Sequence, residues 1–214
     1  MTLKELNRIA EKGENQTVEF KKKVDFPEKV VKEVVAFANT KGGNLFIGIE
    51  DDGLISGLKY PDEETYSLNN AIESMCKPKI NYQIHKISIS KKRSVLHYKI
   101  FSNGTRPHIV LSDSGESNAY IRVDDKSIKA SREIKAVIGG RNHPKDIKFT
   151  YGDYESMLMH YLQDNESITL NQFVESTGLS KKKASKILVT LVLANVLTVE
   201  PGEKEDQYQP LVTE

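Results

Sequence analysis

Residues 25–53 read DFPEKVVKEVVAFANTKGGNLFIGIEDDG, and this stretch decides the fold. Asp25 and Pro27 are helix-start signals. Val30, Val34, Phe37 and Ala38 recur at helical spacing, and Val31 and Val35 widen the apolar stripe. The helix stops near Asn39, where Gly42 and Gly43 force a turn. NLFIGIE is then a short, nearly continuous apolar run, the signature of a strand buried on both faces. DDG at 51–53 is a hairpin-type turn, and a return strand starts at Leu54. Helix, glycine turn, buried strand and hairpin turn in that order predict an α/β domain.

Working outward gives the rest of it. Residues 2–12 read as a short helix. In ENQTVEFKKK, residues 14–23, alternation points Val18 and Phe20 inward and Glu19 and Lys21 outward. A helix is expected over 64–76. Two antiparallel strands follow at 81–90 and 94–101, joined by the polar turn KKR. A further strand is expected at 119–123, and a helix near 131–138 ends at Gly139-Gly140. The first domain is therefore read as residues 1–140, α/β with a mixed sheet, and 141–151 as a linker.

The tail, 152–214, reads differently. Asp153 caps a helix that carries Met157, Leu158 and Tyr161 inward. Two helices then flank the turn STGLS, where Gly178 suits the turn and Ser180 the N-cap of the second helix. Ala184, Ile187, Leu188 and Leu191 make that helix's inner face. VLTVE, PGEKED and QYQPL follow as strand, turn and strand. Three helices and a β-hairpin predict a small winged helix-turn-helix. The run ILVTLVLANVL is apolar nearly all round, which suggests packing against a second subunit and hence a homodimer through this domain.

Of the 214 residues, 38% are hydrophobic and 29% charged, an ordinary soluble composition. Net charge is only +1, but residues 1–150 hold 26 Lys and Arg against 20 Asp and Glu, and residues 151–214 hold 5 against 10. The asymmetry, +6 against −5, points any phosphate backbone to the first module. No apolar run approaches membrane-spanning length, and the N-terminus lacks a signal-peptide core. The single Cys76 excludes an internal disulfide framework and reads as a small core residue. A cytoplasmic protein is expected. The five histidines, at 85, 97, 108, 143 and 160, show no metal spacing and read as structural; the alternative for His108, after Arg106-Pro107 in the segment RPHIV that carries a family resemblance described below, is to face a ligand.

The pattern E-x₄-E-F-K, the helix ending AFANTKGG, and LFIGIEDDG resemble the Schlafen AlbA-type domain. RPHIV at 106–110 and YIRVDDKSIKAS at 120–131 resemble its later motifs, so the likeness covers about residues 10–140. The resemblance implies a compact α/β domain with a nucleic-acid-binding face, of the kind found in bacterial transcriptional regulators. In the nuclease branch of Schlafens, two glutamates and an aspartate form a metal-dependent RNA-cleaving site. Carried over, these are Glu14, Glu19 and Asp51; the usual Val-Asp-Asp is Ile49-Glu50-Asp51 here. Carboxylates of this kind suit Mg²⁺ or Mn²⁺. The alternative is that these acids are ion-pair partners of Lys21–Lys23, Arg106 and Arg122 that order a binding surface. Some proteins of this kind are described as divergent ATPases. ATP is not supported here, because G-x-x-x-x-G-K-[ST] is absent and KGG leads into a strand.

Three functions stay open. The first is a transcriptional regulator binding DNA or RNA through Lys21, Lys23, Arg106 and Arg122, with Lys181, Lys182 and Lys183 on the recognition helix. The second is a metal-dependent ribonuclease using Glu14, Glu19 and Asp51. The third is a regulatory protein-docking scaffold.

Overall fold

A computed structural model describes residues 1–102, 107–112, 115–141 and 150–211. The fold is mixed α and β. The chain divides into two compact units, Met1–Lys129 and Ala130–Glu214.

The first unit opens with α1 (Leu3–Lys12), held at its start by a capping box between Thr2 and Glu5. It continues through β1 (Val18–Lys21), α2 (Pro27–Asn39), β2 (Gly43–Ile47), α3 (Pro61–Met75), β3 (Cys76–Lys77), β4 (Tyr82–Ser90) and β5 (Arg93–Ile100). β6 (Ile109–Leu111), β7 (Ser117–Asn118), β8 (Tyr120–Val123) and β9 (Lys126–Lys129) complete it. The main sheet has the order β1-β2-β5-β4. β1 runs parallel to β2, and the other two pairings are antiparallel.

Sheet alternation makes two cores. Leu45, Ile47, Leu96 and Tyr98 face α2 and α3, while Phe20, Phe46, Ile87 and Val95 face Leu6 of α1. β2 is an interior strand, as its apolar run predicts, and β5 is the other. Gly48, with φ +105°, ends it. The segment after the DDG turn then takes β2's place beside β5, with Leu58 bridging to Ser94.

The second unit comprises α4 (Arg132–Arg141), α5 (Asp153–Asp164), α6 (Leu170–Thr177), α7 (Lys181–Leu193), β10 (Leu197–Glu200) and β11 (Gln207–Pro210). β10 and β11 form an antiparallel hairpin, and Ile168 bridges to Tyr208 on its far strand. The inner face of α5 is Leu158 and Leu162; Met157, expected inward, is 46% exposed.

The expected boundary at 140 moves to 130 because α4 packs on α7, with Val137 inside the second core. The expected linker lies mostly at 142–149, outside the described residues. Divided at 130, the charges become +3 and −2, a smaller asymmetry. The α4 contact also accounts for part of the apolar excess of α7: a Cβ at Gly140 would collide with the Leu193 side chain. Ile187, Val189 and Leu193 of α7 and Val196 after it stay only partly buried.

Candidate nucleic-acid interface

Glu14, Glu19, Lys21 and Arg122 gather at β1: Glu19 and Arg122 are buried and Glu14 and Lys21 half-buried, whereas Asp51 and Lys23 are exposed. Glu19 was expected to point to solvent, yet it is 5% exposed. Its face of β1 is the one shared with Leu45, and α2 and β8 cover that face. Arg122, on β8, is equally enclosed. Its Nη1 donates to Glu19 Oε2 at 2.8 Å and to Glu33 Oε2 at 2.8 Å. Its Nη2 donates to the Asn15 carbonyl at 2.9 Å. Its guanidinium lies 4.8 Å from the Phe37 ring centroid. Ser127 Oγ completes the cluster by donating to Glu33 Oε2.

Local structure dictates this placement. Asn39, at the end of α2, donates to the carbonyls of His108 and Tyr120, both at 2.9 Å, and accepts from the His108 N–H at 2.6 Å. Thr40 Oγ1 accepts the Arg122 N–H at 3.0 Å. Two consecutive polar residues thus pin β8 to the helix end and aim Arg122 at β1. The Gly42-Gly43 turn is also structural. A Cβ at Gly42, φ +76°, would sit 2.7 Å from the Ile100 carbonyl, and one at Gly43 would enter the Phe37 ring.

Arg122 is therefore a structural counter-ion; its expected contact with phosphate is precluded by burial and by its protein partners. Lys21 donates to Glu19 Oε1 and, at 2.9 Å, to the Phe20 carbonyl. Burial pulls its pKa down, but the Glu19 hydrogen bond and charge outweigh that and raise it. Lys22 pairs with Glu50 at 3.1 Å, and Lys23 is exposed. Arg106 lies outside the described residues. His108, 1% exposed, has Nδ1 2.9 Å from the Pro78 carbonyl. Burial lowers its pKa, and it faces the interior rather than a ligand.

The proposed metal ligands do not converge. Both oxygens of Glu19 are engaged by Lys21 and Arg122. Glu14 Oε1 accepts the Phe20 N–H at 2.7 Å and so caps the free edge of β1. Asp51 is exposed on its turn. Burial raises the pKa of Glu14, and the Glu19 and Asp51 charges add to it, so the three acids sense one another. Among the described residues, no three His, Cys, Asp or Glu side chains are grouped to hold a metal ion. As arranged, these carboxylates fit neither Mg²⁺ nor Mn²⁺; Glu19 is a counter-ion and Glu14 an edge cap.

In the second unit, Thr169 and Gln172 form a capping box that starts α6. Gly178 ends it in the left-handed region, φ 68° and ψ 11°. Ser180 occupies the N-cap of α7 without a side-chain cap bond. Lys181 donates to Asn171 Oδ1 at 3.3 Å, and Lys183 sits 4.6 Å over the Tyr154 ring. Lys182 and Lys186 are exposed four residues apart, on one face of the first turns.

Sequence reading missed one concentration of charge. The β4–β5 tip, read only as a polar turn, brings Lys91, Lys92 and Arg93 beside Lys59, Tyr60 and Lys86 around an open groove of about 460 Å³. The KKR triplet was the available signal; Lys86 precedes it on the same hairpin, and Lys59 and Tyr60 meet it only through the Leu58–Ser94 bridge.

The family described as Schlafen, AlbA_2 matches residues 14–131, more than half of the chain. The chain belongs to that family. Its nucleic-acid-binding character supports a general nucleic-acid-binding role here. Thirteen chains of known structure match the protein. One is the DIP2311 protein from Corynebacterium diphtheriae, at 18% identity and a TM-score of 0.44. The match covers 85% of this chain and 33% of that one, so the chain spans about a third of that protein's length. No curated protein matches it. Among the described residues, no helix is long and apolar enough to cross a membrane.

Proposed function

We propose that the protein is a transcriptional regulator whose second unit is a winged helix that docks on duplex DNA. The observation that carries this reading is the exposed pair Lys182 and Lys186 on α7, directly after the left-handed turn at Gly178 and followed by the β10–β11 hairpin. In this reading α7 enters the major groove by its N-terminal turns, and the hairpin is the wing. Lysines at a helix N-terminus oppose the helix dipole. A phosphate placed there satisfies both the ammonium groups and the free N–H groups of the first turn. Lys181 and Lys183, tied to Asn171 and Tyr154, hold the helix end in shape while Lys182 and Lys186 reach outward.

The test is selection of bound sequences from a random duplex pool by the full chain. Enrichment of a defined site, with a Lys182→Ala/Lys186→Ala variant at least about tenfold weaker on it, is the expected result. An unenriched pool, or equal affinity for the variant, contradicts the reading.

A further inference from the structure

We propose that the groove at the β4–β5 tip is a binding site for single-stranded nucleic acid, separate from the carboxylate cluster and from α7. The proposal rests on the nucleic-acid-binding reading above and extends it to a different surface and a different ligand form. Five cations, Lys59, Lys86, Lys91, Lys92 and Arg93, line the groove, and no acidic side chain does. Asp62 pairs with Lys86 at 3.2 Å from outside the lining. A surface this one-sided in charge fits a polyanion.

The fold builds the groove. Gly57, φ +64°, lets the chain cross close over the hairpin, where any Cβ would strike the Ile89 side chain. Arg93 Nη1 fastens the crossing by donating to the carbonyls of Ser56 at 3.0 Å and Gly57 at 2.8 Å. Lys59 and Tyr60 thereby arrive beside Lys91 and Lys92. Serines 88, 90 and 94 complete the lining with hydroxyl donors suited to phosphate oxygens.

The aromatic ring selects the strand form. Tyr60 is 57% exposed at the edge of the groove, with Lys59 Nζ 5.1 Å from its ring centroid. A positive track beside an exposed ring is what an unpaired strand needs, since its phosphates follow the cations and an unstacked base lies on the ring. In a duplex the bases are stacked on one another, so the ring gains nothing from them.

Fluorescence anisotropy tests this with the full chain, a labelled 20-nucleotide dT or U oligomer, and a mixed-sequence duplex. Tyr60→Ala should weaken single-strand binding about tenfold, within the range for loss of one stacked base, while Tyr60→Phe stays near wild type. Lys59→Ala/Lys91→Ala/Lys92→Ala should flatten the slope of log affinity against log salt by about 2 on single strands. Lys182→Ala/Lys186→Ala should lose duplex binding and keep single-strand binding. If wild type binds the duplex but not the oligomers, the groove assignment falls and the regulator reading stands. The assignment also falls if single-strand affinity survives both groove variants. If neither form binds and the groove variants instead abolish binding to phosphatidylserine vesicles or a polyglutamate peptide, both readings fall.

Discussion

Arg122 is the residue on which the first unit turns. It neutralises Glu19 of β1 and Glu33 of α2 from β8, so one side chain ties together three elements. Removing it leaves Glu33 without its counter-ion and Glu19 with Lys21 alone, in a covered site. Arg122→Met should therefore cost about 3–5 kcal/mol in chemical denaturation, against a near-neutral result if the cluster were solvated. Arg122→Lys should recover only part of this, because a single ammonium cannot reproduce the fork. His97 gives a residue-scale dependence on pH. It stacks on Phe46 with ring centroids 4.6 Å apart, its Nε2 lies 2.8 Å from Asn44 Oδ1, and burial pushes its pKa down to about 4. The unfolded chain takes up this proton more readily, so stability from neutral His97 is complete above pH 6.5 and is lost as pH falls from there toward about 4. Denaturation curves across that window should lose this limb in His97→Phe; an unchanged profile would remove His97 as its source.

At the scale of elements, local pattern was legible where one face or one turn decided the outcome. α2, the glycine turn, β2 and the β4–β5 hairpin stand close to where spacing and turn residues put them. The burial of Glu19 was not legible. Alternation along four residues places it off the Phe20 face, but only the return of β8, 103 residues later, decides that this second face is covered too. The acids and lysines of 14–23 consequently look like a site in the sequence, while in the fold they are largely edge cap and ion pair. The basic groove was missed although Lys86, Lys91, Lys92 and Arg93 lie on one hairpin, because Lys59 and Tyr60 reach it only through the return of a separate segment. α4 shows a third case: its weakly amphipathic residues gave no sign that it belonged to α7's neighbour set. Gly140→Leu, which places a side chain into Leu193, should lower the melting temperature of the second unit by several degrees and leave that of the first unchanged. Equal loss in both would contradict the assignment of α4.

The described residues hold three apolar clusters that share no residue, two on opposite faces of the main sheet in the first unit and one around α7 in the second. Scanning calorimetry should therefore resolve two unfolding transitions, and Arg122→Met should shift one of them alone; a single cooperative transition displaced as a unit would contradict independent cores. The central claim is that this family member binds nucleic acid without cleaving it, with Glu14 and Glu19 held as structural groups. The most direct measurement is a native gel of labelled duplex DNA and single-stranded RNA with the full chain, in Mg²⁺ and in Mn²⁺, for wild type and Glu14→Ala/Asp51→Ala. The predicted result is shifted and intact nucleic acid in every lane, with the variant equal to wild type. Unshifted nucleic acid, or shortening by wild type that the variant lacks, would contradict it.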